Sequence, residues 1–159
     1  MLYTDFTLAA PAVAAQIAQA THILVLTHVN PDGDAIGSLL GVTHVLRALG
    51  KRVTAMPLPP LPEYTAWLPG IETVQPYAPA APLPEGIDLL FVVDTASIDR
   101  MGRVYAEHRQ VLDQLPMIVV DHHVTNDGRG TINLIQPAAA SSCELLYALF
   151  AAMGVLITA

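Results

Sequence analysis

The sequence is poor in cysteine and in basic residues, and each shortage excludes a class of protein. Cys143 is the only cysteine, so no disulfide can form within the chain, which is typical of a reducing compartment. Only 7 Lys and Arg residues stand against 14 Asp and Glu, and the formal net charge is -7. A broad basic surface of the kind that coats nucleic acid is therefore excluded. Any phosphate chemistry needs positive charge from another source.

Long apolar runs and a basic N-terminal segment are also missing. Hydrophobic residues make up 53% of the chain and charged residues 13%, so a core is well supplied. No stretch approaches the roughly 18 uncharged apolar residues of a membrane-spanning helix. The N-terminal segment carries Asp5 and no basic cluster, which argues against a signal peptide. We therefore expect one cytoplasmic domain of 159 residues with no membrane association.

Short apolar runs alternate with segments in which apolar residues recur at helical spacing. The runs predict strands at residues 22–29, 52–57, 87–94, 117–121 and 131–135. The periodic segments predict helices at residues 6–20, 34–49, 102–115 and 141–153, the first with Pro11 in its opening turn. Strands that alternate with helices predict an α/β fold, with an open, mostly parallel sheet and helices on both faces.

The proline-rich segment, residues 57–86, holds nine of the 13 prolines. Proline fixes φ and lacks the amide N–H that helices and central strands use. We expect loops here, around one short helical turn near residues 64–68. The segment is interpreted as a surface excursion between two elements of the sheet.

Polar clusters follow three of the predicted strands. The first cluster contains His28, Asp32 and Asp34, the second Asp94, and the third Asp121, His122 and His123. The carboxyl ends of parallel strands meet at one edge of a sheet, where ligands bind in folds of this class. We therefore expect the three clusters to converge.

Two of these clusters also have a plain structural explanation. The PDGD sequence is good turn chemistry, and Asp34 could cap the following helix. Asp94 could be another helix cap. The run Asp121-His122-His123 is harder to explain in this way, because a carboxylate and two imidazoles stand together after a buried strand.

Taken together, the three clusters suit a metal site. Carboxylates and imidazoles without a group of thiolates favour Mn²⁺, Mg²⁺ or a similar divalent ion over a structural zinc site. So many carboxylates repel one another unless cations lie among them, and an aspartate that bridges two ions is a familiar solution. Such a pair of ions forms a hydrolytic centre that activates water and binds phosphoryl oxygens.

The same residues resemble a known family. The motifs HVNPDGDAIGS at residues 28–38, VDTAS at 93–97 and DHH at 121–123 are similar, in order and approximate spacing, to the first three motifs of the DHH phosphoesterases. The similarity is greatest to the RecJ-like branch, which contains oligoribonucleases and phosphatases of 3′-phosphoadenosine-5′-phosphate (pAp). It extends from about residue 5 to the C-terminus.

The resemblance implies five metal ligands. His28 and Asp32 would bind one ion, while Asp34 and His122 would bind the other. Asp94 would bridge the two. The implied cofactor is a pair of divalent ions, with Mn²⁺ ahead of Mg²⁺ or Co²⁺.

The resemblance also implies two catalytic residues and a class of substrate. His123 would face the substrate phosphate or leaving group and polarise it or donate a proton, and Asp121 would orient a histidine by accepting its N–H. The implied reaction is hydrolysis of short oligonucleotides from one end, or removal of the 3′-phosphate of pAp. The partner is then a short oligonucleotide or nucleotide, and a homodimer is left open.

Two departures from the family pattern bear on domain organisation. The family has a further motif with a metal-binding aspartate, and this sequence has no aspartate after Asp127. A glycine-rich, histidine-containing signature of a substrate-binding domain is missing as well. We therefore expect residues 1–159 to be a DHH catalytic domain truncated before its last metal-ligand motif, with the C-terminal substrate-binding domain absent.

Three other functions are open at this point. A family II type inorganic pyrophosphatase shares DHH chemistry, although the first loop, with Pro31 before Asp-Gly-Asp, is closer to the RecJ-like form. A cyclic-dinucleotide phosphodiesterase of the same superfamily is the second alternative. The third is a nucleotide-binding module that binds without turnover, which includes the case that this length of chain is inactive.

Overall fold

One sheet of six strands organises the computed structural model, which describes residues 1–157. The strands are β1 (Leu2–Tyr3), β2 (His22–Leu26), β3 (Arg52–Ala55), β4 (Leu89–Val93), β5 (Met117–Asp121) and β6 (Ile132–Ile135). Their order across the sheet is β1-β6-β5-β4-β2-β3, and every neighbouring pair is parallel. The predicted open parallel α/β sheet is confirmed. The edge strand β1 escaped prediction because two residues are too few to show a periodicity.

Within residues 1–157, four α-helices connect or flank the strands. They are α1 (Phe6–Gln19), α2 (Gly33–Ala48), α3 (Gly102–Leu112) and α4 (Ser142–Ala152). Asp5 begins α1 by accepting hydrogen bonds from the amides of Thr7 and Leu8. The placement of Pro11 in the opening turn is wrong, because this residue is the sixth of α1 and lies in its second turn. The free energy that α1 gains by packing against the sheet outweighs the loss of the one backbone hydrogen bond that proline removes.

Helices cover both faces of the sheet, as the alternation of elements predicts. On one face, Ile23 and Val25 of β2 belong to the core that α1, α2 and α4 share. On the other face, Leu24 and Leu26 belong to a second core, which includes Val104 of α3. Because both faces are covered, all residues of β2, β4 and β5 are buried, which explains their unbroken apolar sequences.

The proline-rich segment contains two 3₁₀ turns, Glu63–Thr65 and Ile71–Thr73, in place of the one predicted. It is held against α2 by a hydrogen bond between His44 Nε2 and the Pro69 carbonyl (3.0 Å). It is held against α3 through Tyr77, whose hydroxyl donates to Glu107 Oε2 (2.6 Å). The segment therefore packs onto helices of both sheet faces. Within residues 1–157, no helix has both the length and the apolar character needed to cross a bilayer.

Gly102 offers a test of how the fold positions the loop after β2. Its φ is +61°, and a Cβ built there would overlap Val29 Cγ1 and approach Leu58 Cδ2 to 3.1 Å. Gly102→Ala is expected to lower the free energy of unfolding by about 1–3 kcal/mol, since it adds backbone strain and steric overlap. Equilibrium urea unfolding measures the change.

Gly41→Ala is the matched control for this substitution. Gly41 lies within α2, and a Cβ there has no neighbour within 4 Å. The control is expected to raise stability by about 0.5–1 kcal/mol, because alanine favours the helix. Equal effects of the two substitutions would contradict the role given to Gly102.

Candidate metal centre

The three polar clusters meet at the carboxyl edge of β2, β4 and β5, which lie side by side with β4 in the middle. Asp94 directly follows β4 and is 1% exposed. Its φ of +51° is a left-handed conformation that few residues other than glycine adopt. Asp94 is thus a buried carboxylate at the centre of the site, where its charge needs compensation from its surroundings.

The loop after β2 brings two further carboxylates to this edge. Asp32 is the N-cap of α2, and its side chain accepts a hydrogen bond from the Ala35 amide (3.0 Å). Asp34 therefore does not cap α2. Its carboxylate instead accepts hydrogen bonds from the amides of Ser142 (2.7 Å) and Cys143 (2.9 Å), in the first turn of α4.

His28, Asp32 and Asp94 form the first group of ligand atoms, all within 4.8 Å of one another. His28 Nε2 lies 3.5 Å from Asp94 Oδ2. On the other side of the ring, the Nδ1–H of His28 donates to the Val29 carbonyl (2.8 Å). This hydrogen bond fixes the ring so that Nε2 points at the carboxylate.

Asp94, His122 and His123 form the second group, again within 4.8 Å. His122 Nε2 lies 3.5 Å from Asp94 Oδ1 and 3.7 Å from Asp34 Oδ2. Its Nδ1 lies 3.3 Å from the Ala139 carbonyl, which can only accept a hydrogen bond. The Asp94 carboxylate is thus shared, with Oδ2 facing the first group and Oδ1 facing the second.

These contacts fit divalent cations. In each of His28 and His122, Nδ1–H points at a carbonyl, so Nε2 faces a carboxylate oxygen and is the ring atom available to an ion. A cation between Nε2 and that oxygen, which lie 3.5 Å apart, attracts both. Histidine ligands in metal sites have the same arrangement, with the second ring nitrogen on a carbonyl or carboxylate. The donor set of carboxylates and imidazoles is also chemically suitable.

Asp121 and His123 form a separate pair beside the two groups. Asp121 is fully buried, and its Oδ1 lies 2.7 Å from His123 Nδ1. Its Oδ2 accepts a hydrogen bond from Asn126 Nδ2 (2.6 Å). With Nδ1–H bonded to Asp121, the Nε2 atom of His123 is free for another partner, and 40% of the side chain is exposed. All seven residues singled out in the sequence are therefore brought to one edge of the sheet.

Two contributors to the site were missed in the sequence. Ser142 is fully buried and its hydroxyl donates to Asp94 Oδ1 (2.9 Å). Asn126 holds Asp121, as described above. In the sequence, the run Ser141–Glu144 has the pattern of a capping box, which by itself indicates no metal role. Ser141 does accept from the Glu144 amide (3.1 Å), but the adjacent serine serves the site. In the sequence, the two adjacent serines are the one sign that a second serine has a role besides the helix cap.

Hydrogen bonds set the charge of two of these groups. Burial favours the neutral form of Asp34, but the amide N–H groups of Cys143 and Ser142 outweigh it and lower the pKa of this carboxyl. The contact with Asp94 raises the pKa of His28, against the opposing effect of burial. Asp34 is thus held as a carboxylate. His28 lies beside the carboxylate of Asp94, which can also bind a cation.

Comparison with known proteins gives a consistent family. The model of the DHH family, N-terminal domain, matches residues 22–157. The bifunctional oligoribonuclease and PAP phosphatase NrnA of Thermus thermophilus is 35% identical over 137 residues, which are 86% of this chain and 39% of NrnA. The chain therefore spans well under half the length of this relative.

Two solved structures share the fold. An exopolyphosphatase-related protein from Bacteroides fragilis superposes with a TM-score of 0.80 at 24% identity, over 92% of this chain and 44% of that one. RecJ from Thermus thermophilus, in complex with Mn²⁺, has a TM-score of 0.54 at 21% identity, over 93% of this chain and 20% of RecJ. The resemblance of the three motifs is confirmed. Since the family model matches most of the chain and NrnA is 35% identical to it, the protein belongs to the DHH family.

Proposed function

We propose that this protein is the catalytic part of a metal-dependent phosphoesterase that acts on short oligonucleotides, on pAp, or on both. The observation that carries the proposal is the position of Asp94, a buried carboxylate with an imidazole Nε2 at 3.5 Å from each of its oxygens. Membership of the DHH family supports hydrolysis of a phosphoric ester. The name of the relative NrnA, oligoribonuclease and PAP phosphatase, supports the choice of substrates.

In this proposal two divalent ions would be held at the site. His28 and Asp32 would bind one ion, Asp34 and His122 the other, and both would share Asp94. His123, whose Nδ1 is held by Asp121, would not be a ligand. When bound, such ions lower the pKa of a water molecule and offset the charge that develops on phosphoryl oxygens. Mn²⁺ is the first choice, ahead of Mg²⁺ or Co²⁺, and the Mn²⁺ in RecJ supports it.

Asp121 and His123 supply the proton chemistry. Asp121 holds the Nδ1–H of His123, which leaves Nε2 at the exposed side of the ring. In that orientation a protonated His123 can donate from Nε2 to the oxygen of the leaving group. Asp121 stabilises the protonated ring, and Asn126 keeps the Asp121 carboxylate in place.

Three alternative functions use the same fold: an inorganic pyrophosphatase, a cyclic-dinucleotide phosphodiesterase and a module that binds nucleotide without turnover. Assays with the respective substrates distinguish them. A homodimer and a cytoplasmic location are also predictions.

Asp94→Asn tests the bridging position. Asparagine tolerates a left-handed φ and keeps the shape, so the loss is confined to the charge. The apparent Mn²⁺ affinity is expected to fall by more than roughly 100-fold, because even residues behind the ligands contribute about 10- to 100-fold. Isothermal titration calorimetry with Mn²⁺ measures it. The exposed Asp99→Asn is the control and should bind as the parent does. Unchanged affinity of Asp94→Asn would refute the proposed site.

Ser142 and Ser141 form a matched pair of adjacent serines. Ser142→Ala removes the donor to Asp94 and is expected to weaken Mn²⁺ binding about 10- to 100-fold. Ser141→Ala removes the N-cap of α4 and is expected to lower stability by about 1 kcal/mol with Mn²⁺ affinity retained. Calorimetry and thermal unfolding separate the two effects. The reverse pattern would show that Ser142 serves only the helix.

His123→Asn tests the proton donor. With Mn²⁺ present, the parent is expected to hydrolyse a dinucleotide or pAp in preference to pyrophosphate or a cyclic dinucleotide. The variant is expected to lose about 100- to 10,000-fold in kcat, because a positioned acid contributes that much, and to retain Mn²⁺ binding. Preferential hydrolysis of pyrophosphate would favour the pyrophosphatase alternative. Metal binding with no turnover of any of these substrates would favour the binding module.

A further inference from the structure

Arg100 lies at the rim of the candidate metal centre. It belongs to the 3₁₀ helix Ile98–Met101, which follows the loop after β4, and its side chain is exposed. Its carbonyl accepts a hydrogen bond from the Val29 amide (2.7 Å), which ties this helix to the loop that carries His28. The Nη2 atom of Arg100 lies 3.5 Å from His28 Nδ1.

This contact leaves the guanidinium with unused donors. The Nδ1–H of His28 already donates to the Val29 carbonyl, so Nδ1 has no lone pair for Arg100. Asp94 lies on the Nε2 side of the His28 ring, and within residues 1–157 Arg100 forms no ion pair with a carboxylate of the site. An exposed guanidinium beside an acidic site therefore has its planar set of N–H groups free.

The other six basic side chains are occupied or lie elsewhere. The hydrogen-bond or ion-pair partners are Thr73 for Arg47, the Ala18 and Ala20 carbonyls for Lys51, Glu107 for Arg103, Asp113 for Arg109, and Asp127 for Arg129. Arg52 begins β3, at the opposite edge of the sheet from the polar clusters. In the described part of the chain, Arg100 is the one basic side chain that touches the site.

We propose that Arg100 binds a second phosphate of the substrate, one that is not cleaved, and so favours nucleotides that carry two phosphates. This inference rests on the proposed function and adds a specificity residue to it. Arg100 lies behind the His28 ring, at the edge away from Asp94, and the group under attack lies on the carboxylate side. A guanidinium and a phosphate form paired, charge-assisted hydrogen bonds, which suits this position in a chain of net charge -7.

The test uses two probes that represent the two ends of the substrate and need no turnover. Both probes are bound to the Mn²⁺-loaded protein. The first, 5′-AMP, carries the phosphate that remains after pAp loses its 3′-phosphate. The second, inorganic phosphate, represents the phosphate that is released. Arg100→Gln is expected to weaken binding of 5′-AMP about 10-fold or more, because a charged hydrogen bond is lost, and to leave binding of inorganic phosphate unchanged. Arg100→Lys, which keeps the charge without the fork, should fall between the parent and Arg100→Gln.

Arg103→Gln is the matched control, since Arg103 is also exposed but is paired with Glu107 one helical turn away. It is expected to bind 5′-AMP as the parent does. Mn²⁺ affinity, measured in parallel, is expected to be unchanged in Arg100→Gln.

Four outcomes would overturn the inference. Equal losses of 5′-AMP and inorganic phosphate would place Arg100 on the group that is cleaved. A loss of Mn²⁺ affinity would make Arg100 a positioning residue that acts through His28. No binding of 5′-AMP to the parent, or no change in the variant, would remove the second phosphate site. The phosphoesterase proposal is judged separately, by Mn²⁺-dependent hydrolysis and by Asp94→Asn.

Discussion

The buried carboxylate of Asp94 is the constraint around which the rest of the site is arranged. A carboxylate that is 1% exposed at the end of an apolar strand is costly unless charge and hydrogen bonds compensate for the water it has lost. Compensation comes from three separate parts of the chain: His28 after β2, His122 after β5 and Ser142 at the start of α4. The backbone of Asp94 is also strained, with a φ of +51°. Strain of this kind is found mainly at functional sites.

The order of strands makes this arrangement feasible. Because β4 lies between β2 and β5, the loops that follow the three strands adjoin one another without any long excursion. Helices on both faces bury these strands and leave only their carboxyl ends as polar surface. The acidic composition of the chain is compatible with an anionic substrate, since positive charge is needed at one edge of the sheet and bound ions can supply it there.

The sequence predicts those parts of the fold and site that depend on neighbouring residues. The central strands follow from unbroken apolar runs, α2 and α4 from helical spacing, and the convergence of the clusters from parallel topology. Contacts between distant residues could not be predicted. Nothing local indicates that Asp34 accepts from the amides of α4, or which of the two adjacent serines donates to Asp94. The short β1 and the position of Pro11 were also missed, because tertiary packing decides both.

The hydrogen bonds between Asp34 and the first turn of α4 join residues 108 and 109 positions apart. Closing a loop of that length is entropically unfavourable, and the closure is repaid only when α4 has docked beside α2. Ligand geometry and helix docking are therefore thermodynamically linked: an ion that binds the completed site selects the docked state and stabilises it by mass action. Metal occupancy of the site and hydrogen-exchange protection of α4 should therefore rise together. Protection of the α4 amides thus reports how much of the protein has bound metal.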